Sequence, residues 1–148
     1  TILLTDQLTK LCIDRHLKLH QSLEIIENFF NITYIRNPGA AFGLLGETDS
    51  RFLSFFFISI SFIAIILILV LFKRIKENQV LLASSLSLIL AGALGNLIDR
   101  LRFGEVIDFL DFHIFSYHWP AFNIADAAIT VGAISLLFYL QPHRILKH

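Results

Sequence analysis

Long stretches without charged side chains dominate the pattern of hydrophobic and polar positions along this chain. Three of them have no charge or almost none: residues 52–72, 80–98 and 121–140. Asn123 and Asp126 are the polar exceptions in the third stretch. A helix of about 20 apolar residues crosses the roughly 30 Å hydrocarbon core of a bilayer. Together with the short apolar stretch before Asp6, the pattern predicts four transmembrane helices.

The composition agrees with an all-α membrane protein. Hydrophobic residues make up 55% of the 148 residues, 15 residues are Phe, and only 16% are charged. A soluble domain of this length could not bury so much apolar side chain. Because 12 Lys and Arg balance 12 Asp and Glu, the chain has no basic excess that would attract nucleic acid. We expect one membrane domain over residues 1–148, and, since the sequence has no Met, a first helix that is truncated at its N-terminus.

Basic residues predict the orientation of the helices. They cluster in the link between the second and third predicted helices and again after the fourth: Lys73, Arg74, Lys76, His143, Arg144 and Lys147. Cytoplasmic loops of membrane proteins carry an excess of Lys and Arg, so we assign both clusters to the cytoplasm. The other two loops, residues 11–51 and 99–120, then face outward.

The first outward loop has a pattern of its own. Residues 29–35 are rich in aromatic and β-branched side chains that partly alternate with polar ones, which predicts a short strand. Asn37, Pro38 and Gly39 follow, and these are residues typical of a turn. We therefore expect a small extracytoplasmic β-sheet in this loop, resting on the membrane surface.

Carboxylates and primary amides converge on the outward face. The residues concerned are Asp6, Asn96, Asp99, Asn123 and Asp126 at helix ends, with Asp108 and Asp111 in the loop between the last two helices. Two Asn residues, Asn96 and Asn123, each lie three positions before an Asp, so each amide shares a helix face with a carboxylate to which it can donate. Ionisable groups within a bilayer are costly and are usually functional.

Several of these residues also have a structural interpretation. Asp99 with Arg100 is equally consistent with an interfacial charge pair that ends a helix. Asp6 and Lys10 are four residues apart, and we favour a helix-end anchor for them. Asp111 is expected to be solvated.

The remaining candidates for chemistry are weaker. His113 and His118 lack a metal-binding pattern, and we interpret them as surface residues. Cys12 is the single cysteine, which excludes an internal disulfide. Asp126 differs from all of these because it lies inside an otherwise apolar stretch, and we assign it a function.

Paired carboxylates at a membrane face support peptide hydrolysis. Two close carboxylates share a proton, so the ionised one can deprotonate water while the protonated one donates to the substrate carbonyl. A proton-coupled transporter is the alternative, because intramembrane acids also form proton relays. It predicts polar residues through the whole membrane depth, whereas the cytoplasmic halves of the predicted helices have few. A non-enzymatic scaffold would not need several acids on one face.

Five sequence stretches point to a family. They are residues 6–10 (DQLTK), 37–42 (NPGAAF), 92–100 (GALGNLIDR), 106–109 (VIDF) and 120–126 (PAFNIAD). In this order, and with four predicted helices, the chain resembles the bacterial lipoprotein signal peptidases (signal peptidase II) over nearly its whole length. The resemblance implies an aspartic endopeptidase that removes the signal peptide from diacylglyceryl-modified prolipoproteins, cutting before the lipidated cysteine.

The resemblance also implies roles for single residues. It makes Asp108 and Asp126 the catalytic pair, whereas the residues alone would rank Asp99 ahead of Asp108. The residues expected to shape the site or position the substrate are Asp6, Lys10, Asn37, Gly39, Asn96, Asp99, Arg100 and Asn123. The β-rich first loop would form a cradle over the active site.

The same resemblance sets expectations for partners and place. No metal or organic cofactor is required, and the partners are a lipid-modified prolipoprotein and membrane phospholipid rather than nucleic acid. We expect a multi-pass monomer in the bacterial cytoplasmic (inner) membrane, with its active site near the outer (periplasmic) face.

Overall fold

The computed structural model describes residues 1–39 and 50–141, apart from the side chains at positions 50 and 51. Eight elements follow one another along these residues: α1 (Ile2–His16), β1 (Ser22–Ile26), β2 (Phe30–Asn37), α2 (Ser50–Phe72), α3 (Val80–Phe103), β3 (Val106–Ile114), β4 (Tyr117–His118) and α4 (Ile124–Leu140). Motif residues 40–42 and the predicted cytoplasmic residues 143–147 lie outside the described ranges.

Two of the four helices are long and apolar enough to cross a membrane, α2 and α3. Only 6% of the apolar window of α2 is buried, against 39% for α3, so α2 presents hydrophobic side chains on nearly all sides. Such a helix is stable in lipid and not in water. Helix α4 is also apolar but has 17 residues, and α1 has 15. The described residues thus form four helices, of which two meet the length criterion for a span.

Glycines allow α3 to pack closely against its neighbours. A Cβ atom at Gly92 would overlap the carbonyl oxygen of Ala125 in α4, and one at Gly95 would lie 2.5 Å from Asp6 Oδ2 in α1. At Gly132 of α4 it would lie 2.7 Å from the carbonyl oxygen of Ser85. Close backbone approach at small residues is the usual means of helix association in membranes. It brings the polar residues of α1, α3 and α4 together.

The strands form one antiparallel sheet in the order β1-β2-β3-β4. The predicted strand in the first loop is confirmed as β2, but the prediction of a sheet confined to that loop is wrong. Strands β3 and β4 come from the segment between α3 and α4, and β3 pairs with β2. Asp108 and Asp111 therefore lie in a strand and not in a loop. Their acidic side chains interrupt the apolar pattern of β3, which hid it in the sequence.

A small hydrophobic core joins the sheet to the helices. Its buried members are Ile13 of α1, Tyr34 of β2, and Ile107 and Phe109 of β3. Ile107 and Phe109 flank Asp108 in sequence, and successive side chains of a strand point to opposite faces. Packing of these neighbours into the core therefore fixes the position of Asp108 beside the helix bundle.

Candidate active site

The first turn of α4 is held by a reciprocal cap. Asn123 is the N-cap residue, and its Oδ1 accepts a hydrogen bond from the backbone N–H of Asp126 at 2.9 Å. Asp126 Oδ2 in turn accepts from the backbone N–H of Asn123 at 3.3 Å. A capping box of this kind satisfies two of the free N–H groups at a helix start. It also fixes the side-chain orientation of Asp126.

The same Asn123 connects the two acids of the predicted pair. Its Nδ2 donates to Asp108 Oδ1 at 2.7 Å, while its backbone N–H contacts Asp126 as described. The other oxygen of Asp126, Oδ1, accepts from Asn96 Nδ2 at 2.7 Å. The structure thus brings Asp108 and Asp126 to opposite sides of one asparagine.

The expectation that Asn96 donates to Asp99, three residues later, is wrong. Asn96 donates to Asp126 on the neighbouring helix, and Asn123 uses its side-chain amide for Asp108 on β3. The small residues between α3 and α4 let the two helices approach closely, so a partner on the facing element lies nearer than the one along the same helix.

Asn37 supports Asp108 from the sheet side. Its Nδ2 donates to Asp108 Oδ2 at 2.8 Å, and its Oδ1 accepts from the backbone N–H of Gly39 at 2.8 Å. Gly39 has a φ of +106°, a conformation that side chains other than glycine rarely adopt. A Cβ there would also overlap the ring of Phe57. This local turn explains why Asn37 is followed closely by glycine, and it orients the amide toward the carboxylate.

Asp108 has an elevated pKa. Its side chain is 2% exposed, and this burial, together with the negative charge of Asp126, raises the pKa of Asp108 to about 7. Hydrogen bonds from Asn37 and Asn123, and the charge of Lys10, oppose the rise. Burial and a like charge both disfavour ionisation of a carboxylate. Asp108 can therefore exchange a proton near neutral pH.

A buried ion cluster lies directly behind the two acids. Lys10 Nζ is 3.0 Å from Asp6 Oδ2 and 2.9 Å from Asp99 Oδ2, and all three side chains are at most 2% exposed. The predicted i,i+4 pair of Asp6 and Lys10 is confirmed, but it lies buried inside α1 and not at a helix end. The alternative of an interfacial Asp99–Arg100 pair is wrong, because Asp99 is buried and pairs with Lys10. Helix α3 continues past Asp99 to Phe103, and Asp99 can be buried there because a lysine of α1 balances its charge.

Arg100 lies on the α2 side of the site. Its guanidinium carbon is 5.1 Å from the centre of the Phe57 ring, within the range of a cation–π contact. Phe57 also fills the space beside Gly39. Helix α2 thus contributes one aromatic side chain that contacts two of the predicted supporting residues.

Two predictions about β3 and its hairpin are wrong. Asp111 is not solvated: it is 8% exposed, and it accepts from Asn31 Nδ2 at 3.1 Å and pairs with His118 Nδ1 at 2.8 Å. His113 is buried rather than on the surface, and its ring stacks on that of His118 with centroids 4.5 Å apart. Antiparallel pairing of β3 with β2 and β4 brings these partners together.

Sequence reasoning missed Gln7 and Phe57 as contributors to the site. Gln7 Nε2 lies 3.2 Å from both Asp6 Oδ2 and Asp99 Oδ1, and 3.1 Å from the carbonyl oxygen of Gly95. Gln7 directly follows Asp6 in the DQLTK stretch, which was its one available signal. Nothing in the apolar sequence of α2 distinguishes Phe57 from its neighbours.

The arrangement is suited to acid–base chemistry. Amide N–H groups of Asn37, Asn96 and Asn123 face the two carboxylates and hold their orientation. Within the described residues, no group of three or more His, Cys, Asp or Glu side chains is arranged to hold a metal ion. Two carboxylates that influence each other's ionisation can divide the roles of general base and general acid between them.

Comparison with known proteins identifies the family to which the chain is similar. A family model described as "Signal peptidase (SPase) II" matches residues 1–141. The chain is similar to the lipoprotein signal peptidase of Syntrophus aciditrophicus, with 54% identity over 92% of this chain and 84% of the relative. It is also similar to the lipoprotein signal peptidase of Syntrophotalea carbinolica, with 52% identity over 99% and 89% of the two chains.

A solved structure shows the same fold. A bacterial membrane enzyme determined by the in meso method at 2.3 Å resolution superposes with a TM-score of 0.84 and 38% sequence identity. The match covers 99% of this chain and 88% of the other. The four helices and the sheet are therefore shared with an experimentally determined membrane enzyme.

Proposed function

Because this chain belongs to the signal peptidase II family, we propose that it is an aspartic membrane endopeptidase in which Asp108 and Asp126 perform the hydrolysis. Family membership supports removal of the signal peptide from prolipoproteins. We further propose that the substrate carries a diacylglyceryl group on its cysteine and is cut on the N-terminal side of that cysteine. The observation that carries the proposed pair is the bridging of both carboxylates by Asn123.

The proposed mechanism divides two roles between the acids. The ionised carboxylate takes a proton from a water molecule, whose oxygen attacks the carbonyl carbon of the scissile peptide bond. The protonated carboxyl group donates its proton to the carbonyl oxygen, giving a neutral tetrahedral diol. When the diol collapses, the C–N bond breaks and the amine nitrogen receives a proton from the pair. The pKa of Asp108 near 7 supports its role as the partner that holds a proton at neutral pH.

Neighbouring residues are assigned supporting roles in this proposal. Asn37, with its turn at Gly39, and Asn123 orient Asp108, while Asn96 orients Asp126. Arg100 contacts the Phe57 ring of α2, and we propose that its guanidinium binds the substrate backbone.

The proposed setting is a multi-pass protein of the bacterial cytoplasmic (inner) membrane. Each of the four helices spans or enters the bilayer, in one domain over residues 1–148, and the active site lies near the outer (periplasmic) face. Apolar side chains exposed along α2 support contact with phospholipid and with the substrate's acyl chains. The protein acts as a monomer. The proton-coupled transporter alternative has no support from the relatives, which are peptidases.

Substitution of either acid tests the proposed pair. Asp108→Asn and Asp126→Asn keep the size of the side chain but cannot exchange a proton, so each is expected to lower kcat by about 10²–10⁴-fold. The measurement is cleavage of a diacylglyceryl-modified precursor by purified enzyme in detergent micelles. Thermal unfolding of each variant shows whether it is folded.

A matched control is available on the same strand. Asp111 is also buried and also accepts from an asparagine of β2, but it has no contact with Asn123 among the described residues. Asp111→Asn is expected to retain most of the activity. Normal cleavage by a folded Asp108→Asn or Asp126→Asn variant would refute the assignment of the pair.

A further inference from the structure

The buried ammonium of Lys10 has a complete set of partners. A lysine ammonium carries three N–H donors, and Lys10 Nζ has three acceptors within 3.0 Å. They are Asp6 Oδ2 at 3.0 Å, Asp99 Oδ2 at 2.9 Å and Asn96 Oδ1 at 2.9 Å. The side chain is 2% exposed. Each of the three acceptors leads in turn to a position next to the proposed catalytic pair.

The first connection runs through Asn96 to Asp126. Because Asn96 Oδ1 accepts from the ammonium, its Nδ2 is the end of the amide that points away and donates to Asp126 Oδ1 at 2.7 Å. Reversing the amide would place an NH₂ group against the ammonium and an oxygen against the carboxylate, two repulsive contacts. Lys10 therefore determines which end of Asn96 meets Asp126.

The other two connections run through carboxylates to the backbone. Asp6 Oδ1 accepts from the N–H of Ala125 at 2.9 Å, and Ala125 directly precedes Asp126. Asp99 Oδ2 accepts from the N–H of Ile107 at 3.2 Å, and this residue directly precedes Asp108. In both cases, a partner of Lys10 accepts a hydrogen bond from the backbone of the residue directly before a proposed catalytic aspartate.

From this geometry we propose that Lys10 is a positioning residue for peptide hydrolysis. Through its three acceptors it fixes the positions of both proposed catalytic carboxylates relative to each other. The proposal rests on the assignment of Asp108 and Asp126 as the pair. It assigns to Lys10 a role beyond neutralising buried charge. If the ion cluster were purely structural, any arrangement with the same charge and packing could replace it. Such an arrangement would not fix the orientation of the Asn96 amide, which depends on the ammonium.

Two variants separate the roles. Lys10→Met removes the ammonium and leaves Asp6 and Asp99 unbalanced, which endangers folding. In the double variant Lys10→Met/Asp99→Asn, the cluster keeps the net charge of the wild type, and the new amide still offers an oxygen to Ile107. Lys18→Met is the matched control, because Lys18 is exposed and lies outside the cluster.

The readouts are thermal unfolding, kcat and KM per folded enzyme, and the pH dependence of kcat. For the double variant we expect a melting temperature near that of the wild type, kcat lower by about 10²-fold because the carboxylates are misplaced, and little change in KM.

For Lys10→Met, loss of a positive charge that lowers the pKa of Asp108 is expected to shift the pH profile to higher pH. Besides Lys10, the charges that act on Asp108 are those of Asp126 and Arg100. Both stay in place in that variant, as do Asp6 and Asp99, the carboxylates that contact Lys10. Lys18→Met is expected to match the wild type throughout.

A folded double variant with wild-type kcat would overturn the proposal, because charge balance alone would then suffice. Failure of both variants to fold would also overturn it, since a positioning role requires a fold that survives without the ammonium. Asp108→Asn and Asp126→Asn are assayed in parallel. If both are inactive while the double variant is fully active, the role of Lys10 fails and the catalytic pair stands.

Discussion

At the scale of single residues, Asp108 experiences opposing influences on its ionisation. Burial and the charge of Asp126 raise its pKa to about 7, and the hydrogen bonds from Asn37 and Asn123 limit the rise. Both amides donate to carboxylate oxygens, so they stabilise the ionised form. Burial has the largest influence on the pKa of Asp108, and the amide donors at this carboxylate limit how far that pKa rises.

The pH profile of cleavage tests this account. The proposed mechanism requires one shared proton, so kcat is expected to fall as the pH rises above about 7, where Asp108 loses its proton. In Asn37→Ala the ionised form of Asp108 loses a donor, the pKa rises further, and the basic limb moves to higher pH. Measuring kcat from acid to alkaline pH in both proteins checks the direction of the shift.

The control for this measurement is Asn31→Ala. Asn31 donates from β2 to Asp111 on β3, so the control removes an equivalent cross-strand hydrogen bond away from the pair. Its basic limb is expected to coincide with that of the wild type. A limb that moves to lower pH in Asn37→Ala, or that moves equally in both variants, would contradict the assigned role of Asn37.

At the scale of elements, close packing of α3 on α4 sets the position of the site. The Gly92 backbone lies against the carbonyl of Ala125, one residue before Asp126. Gly92→Ala is expected to destabilise the protein by about 1–3 kcal/mol through overpacking, and also to reduce kcat because the first turn of α4 moves. Thermal unfolding in detergent and the cleavage rate are the two measurements.

Ser87→Thr is the corresponding control on the same helix. Ser87 is exposed, and its hydroxyl donates to the carbonyl oxygen of Ala83, so an added methyl group meets no neighbouring helix. This variant is expected to match the wild type in melting temperature and activity. If Gly92→Ala were as stable and active as Ser87→Thr, the close approach of α3 and α4 would not be required.

The bounds of the helices can be compared with those predicted from the sequence. Apolar stretches predicted the helices well, but the predicted end of α3 at the charged pair was several residues early. The helix ends instead at Gly104, whose φ of +78° is typical of a helix C-cap. The partner that allows Asp99 to remain helical and buried is Lys10, some ninety positions earlier in the chain. Sequence spacing contains no information on such a contact.

The sequence predicted which polar residues come together better than it predicted the hydrogen bonds between them. The hydrophobic pattern predicted that the acids lie at one end of the helices, and the structure does bring them together. The family motif favoured Asp108 over Asp99 as a catalytic residue, and this stays a prediction. The connections of Asn96 to Asp126 and of Asn123 to Asp108 arise only when α3, α4 and β3 pack together. Strand β3 was missed because two carboxylates interrupt its apolar residues. Their hydrogen-bond donors, such as Asn31 and Asn123, lie in other segments of the chain.

At the scale of the whole molecule, the two ends of the helices differ in character. The sheet and the acid pair lie at one end, where exposed Phe115, Tyr117 and Trp119 form an aromatic group near the β3–β4 turn. Aromatic residues of this kind are enriched at membrane–water interfaces. The link between α2 and α3, at the opposite end, carries the exposed Lys73 and Lys76. This asymmetry supports an orientation with the sheet outside and the link in the cytoplasm.

Labelling of single cysteines tests that orientation. In a Cys12→Ser background, Tyr117→Cys is expected to react with a membrane-impermeant maleimide added to intact spheroplasts, because the proposed orientation puts β4 at the outer face. Lys76→Cys is expected to react only in inverted vesicles, since the same orientation puts the basic link in the cytoplasm. Both positions are exposed, so both react in detergent, which controls for accessibility. Labelling of Lys76→Cys from outside would contradict the proposed topology, because it would put the acid pair on the cytoplasmic side of the membrane.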